Sequence, residues 1–298
     1  MKFNFDDVYE IESGASHKKI YRFKNNNEGK IIVDFSYKHN DYLSFLEINN
    51  FLSMINISVP KIFDTDDTNC VIIMEDFGNI RYDKLINSID PKDILIDAIN
   101  SLIEIQNSQK PVVNKFLKQY NFSSFTVEIA EFADFYLSKK NIGKDVVDEF
   151  FYIWKSEFEN LNFKWNSFVH KDFELSNLMH LEKRKRHLKC GILDFQNAFI
   201  GFSGWDVFSL LENPRIYFED KYNNELIEYF YNKTFQNLPF HEFLRQYYFL
   251  NTARQSRIIG RWINLYKKNK KNYSKYISVT INRLQKSLYN LQNKKLSK

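Results

Sequence analysis

Four polar residues at fixed spacing constrain this 298-residue chain more than anything else in it. His170 and Asp172 flank Lys171, Asn177 follows, and seventeen positions later comes Asp194, inside Leu193-Asp194-Phe195. Both clusters adjoin short apolar, β-favouring segments, Phe168–Val169 and Leu188–Leu193, so each reads as a loop at a strand end. The residue types suit one chemistry. A carboxylate can accept or orient the proton of an attacking hydroxyl. An amide oxygen and a second carboxylate are hard ligands that fit Mg²⁺ and do not fit Zn²⁺. Loops held by strands supply the positioning that such chemistry needs.

The chain before these loops reads as mixed α and β. Ile20–Phe23 and Lys30–Phe35 are β-favouring runs, and Asn25-Asn26-Asn27-Glu28-Gly29 between them has turn composition, which predicts a hairpin. Asp41–Met54 has the apolar spacing of a helix face. Val59–Phe63 and Val71–Glu75 read as strands around a polar Asp64–Asn69 turn. From Pro91 the period changes to helical, with Asp90 as the N-cap and Pro91 in the first turn. Further helices are expected over Phe125–Lys139, Lys144–Glu159, Asn224–Lys233, Glu242–Tyr266 and Tyr276–Leu291. This predicts an α+β chain: a small β-rich lobe over residues 1–78, a connector near Phe77–Tyr82, and a larger, mainly helical lobe over 79–298. Two lobes favour a ligand cleft between them.

Composition excludes several classes. The aromatic share is 17%, with 29 Phe and 18 Tyr, enough for a large core. A net charge of +5 (42 basic, 37 acidic residues) is weak for this length and gives no reason to expect a nucleic-acid partner. Cys70 and Cys190 form neither a disulfide framework nor a metal pair. Acid near the N-terminus does not suit a signal peptide, and no apolar run is long enough to span a membrane, so a cytoplasmic protein is expected. The basic runs Lys183–His187 and Lys267–Lys271 read as solvated turns and ends.

The polar loops have the order of a kinase catalytic loop followed by its metal-binding Asp-Phe pair. With Gly201 and Asp206 downstream, the chain resembles the aminoglycoside phosphotransferase and choline kinase-like superfamily, whose fold is protein-kinase-like and two-lobed. Residues 169–179, 191–198 and 201–211 resemble one branch, the bacterial N-acetylmuramate/N-acetylglucosamine anomeric kinases of cell-wall sugar recycling. Segments 13–22 and 252–260 agree.

The resemblance implies an ATP- and Mg²⁺-dependent phosphotransferase acting on an alcohol group of a small molecule, an amino sugar. It implies Asp172 as catalytic base, His170 as a brace for its loop, and Asn177 and Asp194 as Mg²⁺ ligands. Gly14, Ala15 and Ser16 would close over the nucleotide phosphates, or form an ordinary turn; Lys18 and Lys19 follow them. Met74, Glu75 and Phe77 would line the adenine side, or simply leave the strand. Asp206 would support the catalytic loop on the substrate side, or serve as a helix N-terminal charge. Trp205 could stack on a sugar ring, or pack in the core; Arg254 and Arg257 could pair with a substrate carboxylate, or be solvated helix charges.

One departure stands out. A kinase carries a Lys in the second hairpin strand to grip the phosphates. Here that strand reads Ile31-Ile32-Val33-Asp34, which also removes the partner of any Lys–Glu pair with Glu47. Lys18, Lys19 and Arg22 are the candidates to supply the missing charge. A choline-, aminoglycoside- or other alcohol-directed kinase is the alternative within the fold, and a non-catalytic nucleotide-binding pseudokinase the alternative outside enzymes. The absence of a dense acidic cluster after Asp206 weighs against a polycationic antibiotic as substrate. Oligomeric state has no signature in the sequence.

Overall fold

β-Branched and aromatic residues together dominate the strands of the N-terminal sheet, and their register follows from which faces are buried. The computed structural model describes residues 7–11, 18–24, 29–108, 117–138, 142–161, 165–216, 218–234, 238–268, 271–292 and 296. Its five strands are β1 (Val8–Ile11), β2 (Lys19–Phe23), β3 (Lys30–Asp34), β4 (Ile62–Asp66) and β5 (Val71–Glu75). They form an antiparallel sheet in the order β1-β2-β3-β5-β4. Ile31, Ile32 and Val33 are all buried, so both faces of central β3 are covered. Val8, Ile32 and Val71 cluster with Tyr21, Phe23 and Ile73 on one face. The expected hairpin is present as β2 and β3, with Ile20 opposite Val33. The turn residues 25–28 lie outside the described residues.

The helix α1 (His39–Met54) follows the sheet's first three strands; α2 (Tyr82–Leu85) and α3 (Pro91–Asn107) come after β5. Asp90 caps α3, its carboxylate accepting from Lys92 N at 2.9 Å. Later elements are α4 (Phe122–Phe132), α5 (Lys144–Asn160), β6 (Ser167–Val169), β7 (Leu178–His180), β8 (Cys190–Ile192), β9 (Phe199–Gly201), α6 (Trp205–Leu211), α7 (Asp220–Lys233), α8 (Phe240–Lys267) and α9 (Ile277–Leu291). A small β-rich N-terminal lobe and a larger, mainly helical C-terminal lobe therefore stand as expected. Among the described residues no helix is long and apolar enough to cross a membrane.

The differences from expectation are local. The strand expected at Val59–Phe63 starts at Ile62 and runs to Asp66, and the turn begins only at Asp67. Three strands, β1, β7 and β9, are only three or four residues long, too short to stand out in the sequence. Helix α4 starts earlier than expected, where Asn121 accepts from Ser124 N at 3.0 Å, and it passes into a π-helical turn at Ala133–Leu137.

The chain divides into two compact units, one of Met1–Leu117 with His170–Ala198, the other of Lys118–Val169 with Phe199–Lys298. Within the first unit, the β7–β8 hairpin is bonded to segments that flank the sheet's last strands. Ile192 N donates to Ser58 O (2.8 Å), His180 N to Ile80 O (2.7 Å) and Ser58 Oγ to Leu188 O (2.6 Å). In the second unit, α8 packs closely on α4. A Cβ on Gly260 would lie 2.1 Å from the backbone oxygen of Glu131, so only glycine permits the approach. Phe132, Ile259 and Ile263 form the core there.

Candidate active site

The pairing of β7 with β8 sets Leu178 opposite Ile192, which brings Asn177 and Leu193 to the same end of the hairpin. Leu193 is then held from both sides. Its N–H donates to Asn177 O at 3.0 Å, and its carbonyl accepts from His170 Nε2 at 2.9 Å. His170 is completely buried, and burial pushes its pKa below the ordinary histidine value, so the ring is neutral with its proton on Nε2. Its ring meets Phe173 edge-on. His170 thereby ties its own loop to Leu193.

Lys171, next along, has φ +82°, and Asp194 has φ +64°. Neither is glycine, and such backbone costs on the order of 1–3 kcal/mol unless its surroundings impose it. Here they do, because hydrogen bonds fix both flanks. The backbone oxygen of Asp172 accepts from Asn177 Nδ2 (2.8 Å) and Glu174 N (2.9 Å). Committing the Asn177 amide nitrogen to that bond leaves its carbonyl oxygen as the atom suited to a cation.

Asp194 carries its charge under strong local control. Burial opposes ionisation, yet the Lys18 ammonium and the Gln196 amide together hold the carboxyl below the usual carboxylate range. Lys18 Nζ lies 2.5 Å from Asp194 Oδ1, and Gln196 Nε2 donates to the same oxygen at 3.0 Å. The neighbouring Phe195 is fully buried and stacks on Phe45 of α1 at 4.7 Å. Among the described residues, no three His, Cys, Asp or Glu side chains converge as a self-sufficient metal cage. One carboxylate and one amide oxygen fit Mg²⁺, which keeps few protein ligands and takes the rest from phosphates and water.

The other nucleotide-side residues divide. Gly14, Ala15 and Ser16 lie outside the described residues. Lys19 is exposed opposite Asp34, and Asp34 accepts from Ser36 N. Glu47 is exposed on α1. Arg22 is committed to the connector: its Nε is 2.6 Å and its Nη2 2.8 Å from the Asp76 carboxylate, and Nη1 donates to Asn79 Oδ1 at 2.6 Å. Met74 is buried, while Glu75 and Phe77 are half-buried.

Gln196, Asp76 and Arg184 join the site as partners that residue type and spacing do not single out. Arg184, in the run expected to be solvated, reaches Glu75 Oε1 at 2.6 Å and lies over the Phe77 ring at 5.1 Å. Gly191 gives Phe77 its room, since a Cβ there would lie 2.7 Å from the ring. An aromatic two residues beyond a strand-end acid is the weak signal that such a basic run has work to do.

The expected substrate-side residues all fall in the second compact unit. Asp206 is buried in the first turn of α6. Trp205 is 1% exposed and packs against Tyr120, Phe199 and Phe208, so it is a core residue without a ring face for a sugar. Arg254 is buried, and Arg257 Nη1 lies 3.3 Å from Glu128 Oε1, so neither is a solvated helix charge.

A five-stranded antiparallel sheet, a mainly helical C-terminal lobe and this pair of bonded polar loops define a kinase-like phosphotransferase. Residues 7–244 match the phosphotransferase enzyme family, and the chain belongs to that family. An alcohol group as acceptor accords with this membership. Among curated relatives, an N-acetylmuramate/N-acetylglucosamine kinase of Neisseria meningitidis is 25% identical over 235 residues, covering 74% of this chain and 67% of the relative. One of Caulobacter vibrioides is 24% identical over 194 residues, 58% of this chain and 50% of the relative. The chain thus spans from half to two thirds of the length of these relatives. Its fold is shared with a choline/ethanolamine kinase family protein from Mesorhizobium loti, at 10% identity and TM-score 0.64, covering 97% of this chain and 90% of that one. It is shared equally with an aminoglycoside phosphotransferase in complex with GDP, at 13% identity and TM-score 0.64, covering 97% and 93%.

Proposed function

We propose that the protein is an ATP-dependent kinase that phosphorylates the anomeric hydroxyl of N-acetylmuramate or N-acetylglucosamine, releasing ADP and a sugar 1-phosphate. The observation that carries the phosphotransfer reading is the double hold on Leu193, which ties the loop of Asp172 and Asn177 to the loop of Asp194. In this reading Asp172 accepts the hydroxyl proton as the sugar oxygen bonds to the γ-phosphorus and the bond to the ADP oxygen breaks. Asn177 and Asp194 hold Mg²⁺, which neutralises charge on the phosphates. The nucleotide lies against the N-terminal sheet and the 74–77 segment.

The acceptor rests on the named relatives and on charge. Glu128 and Glu212 of the helical unit are each paired with an arginine, Arg257 at 3.3 Å and Arg283 at 2.8 Å. Acids neutralised in this way offer little to a polycationic aminoglycoside.

The test is a panel of N-acetylmuramate, N-acetylglucosamine, choline and kanamycin with ATP and Mg²⁺, read by ADP release and by ³¹P NMR of the product. Sugar-dependent ADP release with an anomeric phosphate is expected, and Asp172→Asn should abolish it while nucleotide still binds. Turnover with choline or kanamycin alone would remove the sugar assignment. Nucleotide binding without turnover on any acceptor would point to the pseudokinase alternative.

A further inference from the structure

Three basic residues were candidates to replace the missing strand lysine, and the geometry separates them. Lys19 stands exposed at the edge of the register, across from Asp34. Arg22 is bound through two of its nitrogens to Asp76 and through a third to Asn79, with contacts of 2.6–2.8 Å, and belongs to the connector. Lys18 does something different. It sits immediately before β2, its side chain is only 11% exposed, and its ammonium reaches across 176 residues of sequence to the Asp194 carboxylate at 2.5 Å.

We propose that Lys18 is the cation that binds the nucleotide's phosphates in this protein, in place of a lysine on β3. This rests on the kinase reading above and names a residue for it. An ammonium fixed against the carboxylate that would hold the metal is fixed where the metal's phosphates must come. Lysine suits the task because it is a compact point charge with three donors on a flexible stem, able to shift from carboxylate to phosphate oxygen. β3 has no room for the role: Ile31, Ile32 and Val33 are buried, and Asp34 is an acid bonded to the backbone of Ser36. The cation has moved from the middle strand to the start of its hairpin partner, where the antiparallel pairing of Lys19 with Asp34 keeps it close to the vacated position.

The experiment is calorimetric titration of the full chain with ADP and, separately, with adenosine, at saturating Mg²⁺. Lys18→Met should weaken ADP binding about tenfold or more, because a charge-assisted contact to phosphate is lost. Adenosine, which has no phosphate, should bind Lys18→Met and the unaltered chain alike. Lys18→Arg should recover most of the ADP affinity, and Lys19→Met should leave it unchanged. Undiminished ADP binding by Lys18→Met would overturn the proposal and leave the kinase reading standing. Equal losses for ADP and adenosine would also overturn it, since the residue would then be merely structural. An unaltered chain that binds neither would remove the kinase reading, and this inference with it.

Discussion

The buried His170 donates from Nε2 to the carbonyl of Leu193 across 2.9 Å, binding the residue that opens one polar loop to the residue before Asp194 in the other. His170→Ala should therefore affect catalysis as well as stability. Loss of a buried hydrogen-bond donor costs about 1–3 kcal/mol. Steady-state kinetics should show kcat falling far more than acceptor KM rises, and His170→Gln, which keeps a donor at a similar reach, should restore part of kcat. Equal kcat for all three proteins would show that the tie does not position Asp194.

Asp97 on α3 is held partly away from water, and burial raises its pKa above the ordinary 3.8 despite the opposing charges of Lys189 and His180; Asp93 adds to the rise. A carboxylate with a raised pKa binds more protons in the folded than in the unfolded state, so its favourable contribution is present below the ordinary value and is lost as pH rises through the folded value. Asp97→Asn should consequently melt at a higher temperature than the unaltered chain at pH 7. The difference should shrink to nothing as pH falls to the ordinary carboxylate range. Thermal melts across pH 4–8 check this, and a variant less stable at pH 7 would contradict it.

Arg184 bonds Glu75 and covers Phe77 just past the end of β5. Both members of the ion pair are about one third exposed, at 31% and 30%, so solvent screening keeps its contribution to stability below about 1 kcal/mol. Arg184→Ala should leave the melting temperature nearly unchanged yet raise the KM for ATP several-fold, because Phe77 loses its cover. Arg184→Lys, without a planar guanidinium to lie on the ring, should rescue poorly. An unchanged KM for ATP would mean the contact is only surface decoration.

Gly260 lies inside α8, where alanine alone would gain about 1 kcal/mol of helix propensity. The added Cβ would sit 2.1 Å from a backbone oxygen, which cannot swing aside as a side-chain tip would. Overpacking costs about 1–3 kcal/mol or more and should win, so Gly260→Ala is expected to be destabilised in urea denaturation. A stabilised variant would show that α4 and α8 are able to separate at that point.

Much of the N-terminal sheet was legible because its information is local. The β-favouring runs at Ile20–Phe23, Lys30–Phe35 and Val71–Glu75 and the Asp90–Pro91 helix start depend on neighbours a few residues away. The motif loops were legible for the same reason, since residue type and spacing carry them. Short strands such as β7 and β9 were not, because three residues hold too little pattern, and their pairing is set by partners elsewhere in the chain. Trp205 shows the corresponding failure among site residues. A tryptophan near a motif looks the same whether it faces a ligand or Tyr120 and Phe199, and only packing separates the two.

By itself, the order of residues fixed the identities and spacing of His170, Asp172, Asn177 and Asp194, and with them the chemistry open to the chain. It left three basic residues equivalent, one just before β2 and two within it. Folding distinguished them, sending Arg22 to Asp76, leaving Lys19 in solvent and bringing Lys18 to Asp194. The physical reason is distance along the chain: spacing encodes contacts within a turn or a hairpin, whereas an ion pair closing 176 residues exists only once the sheet and the β7–β8 hairpin have packed.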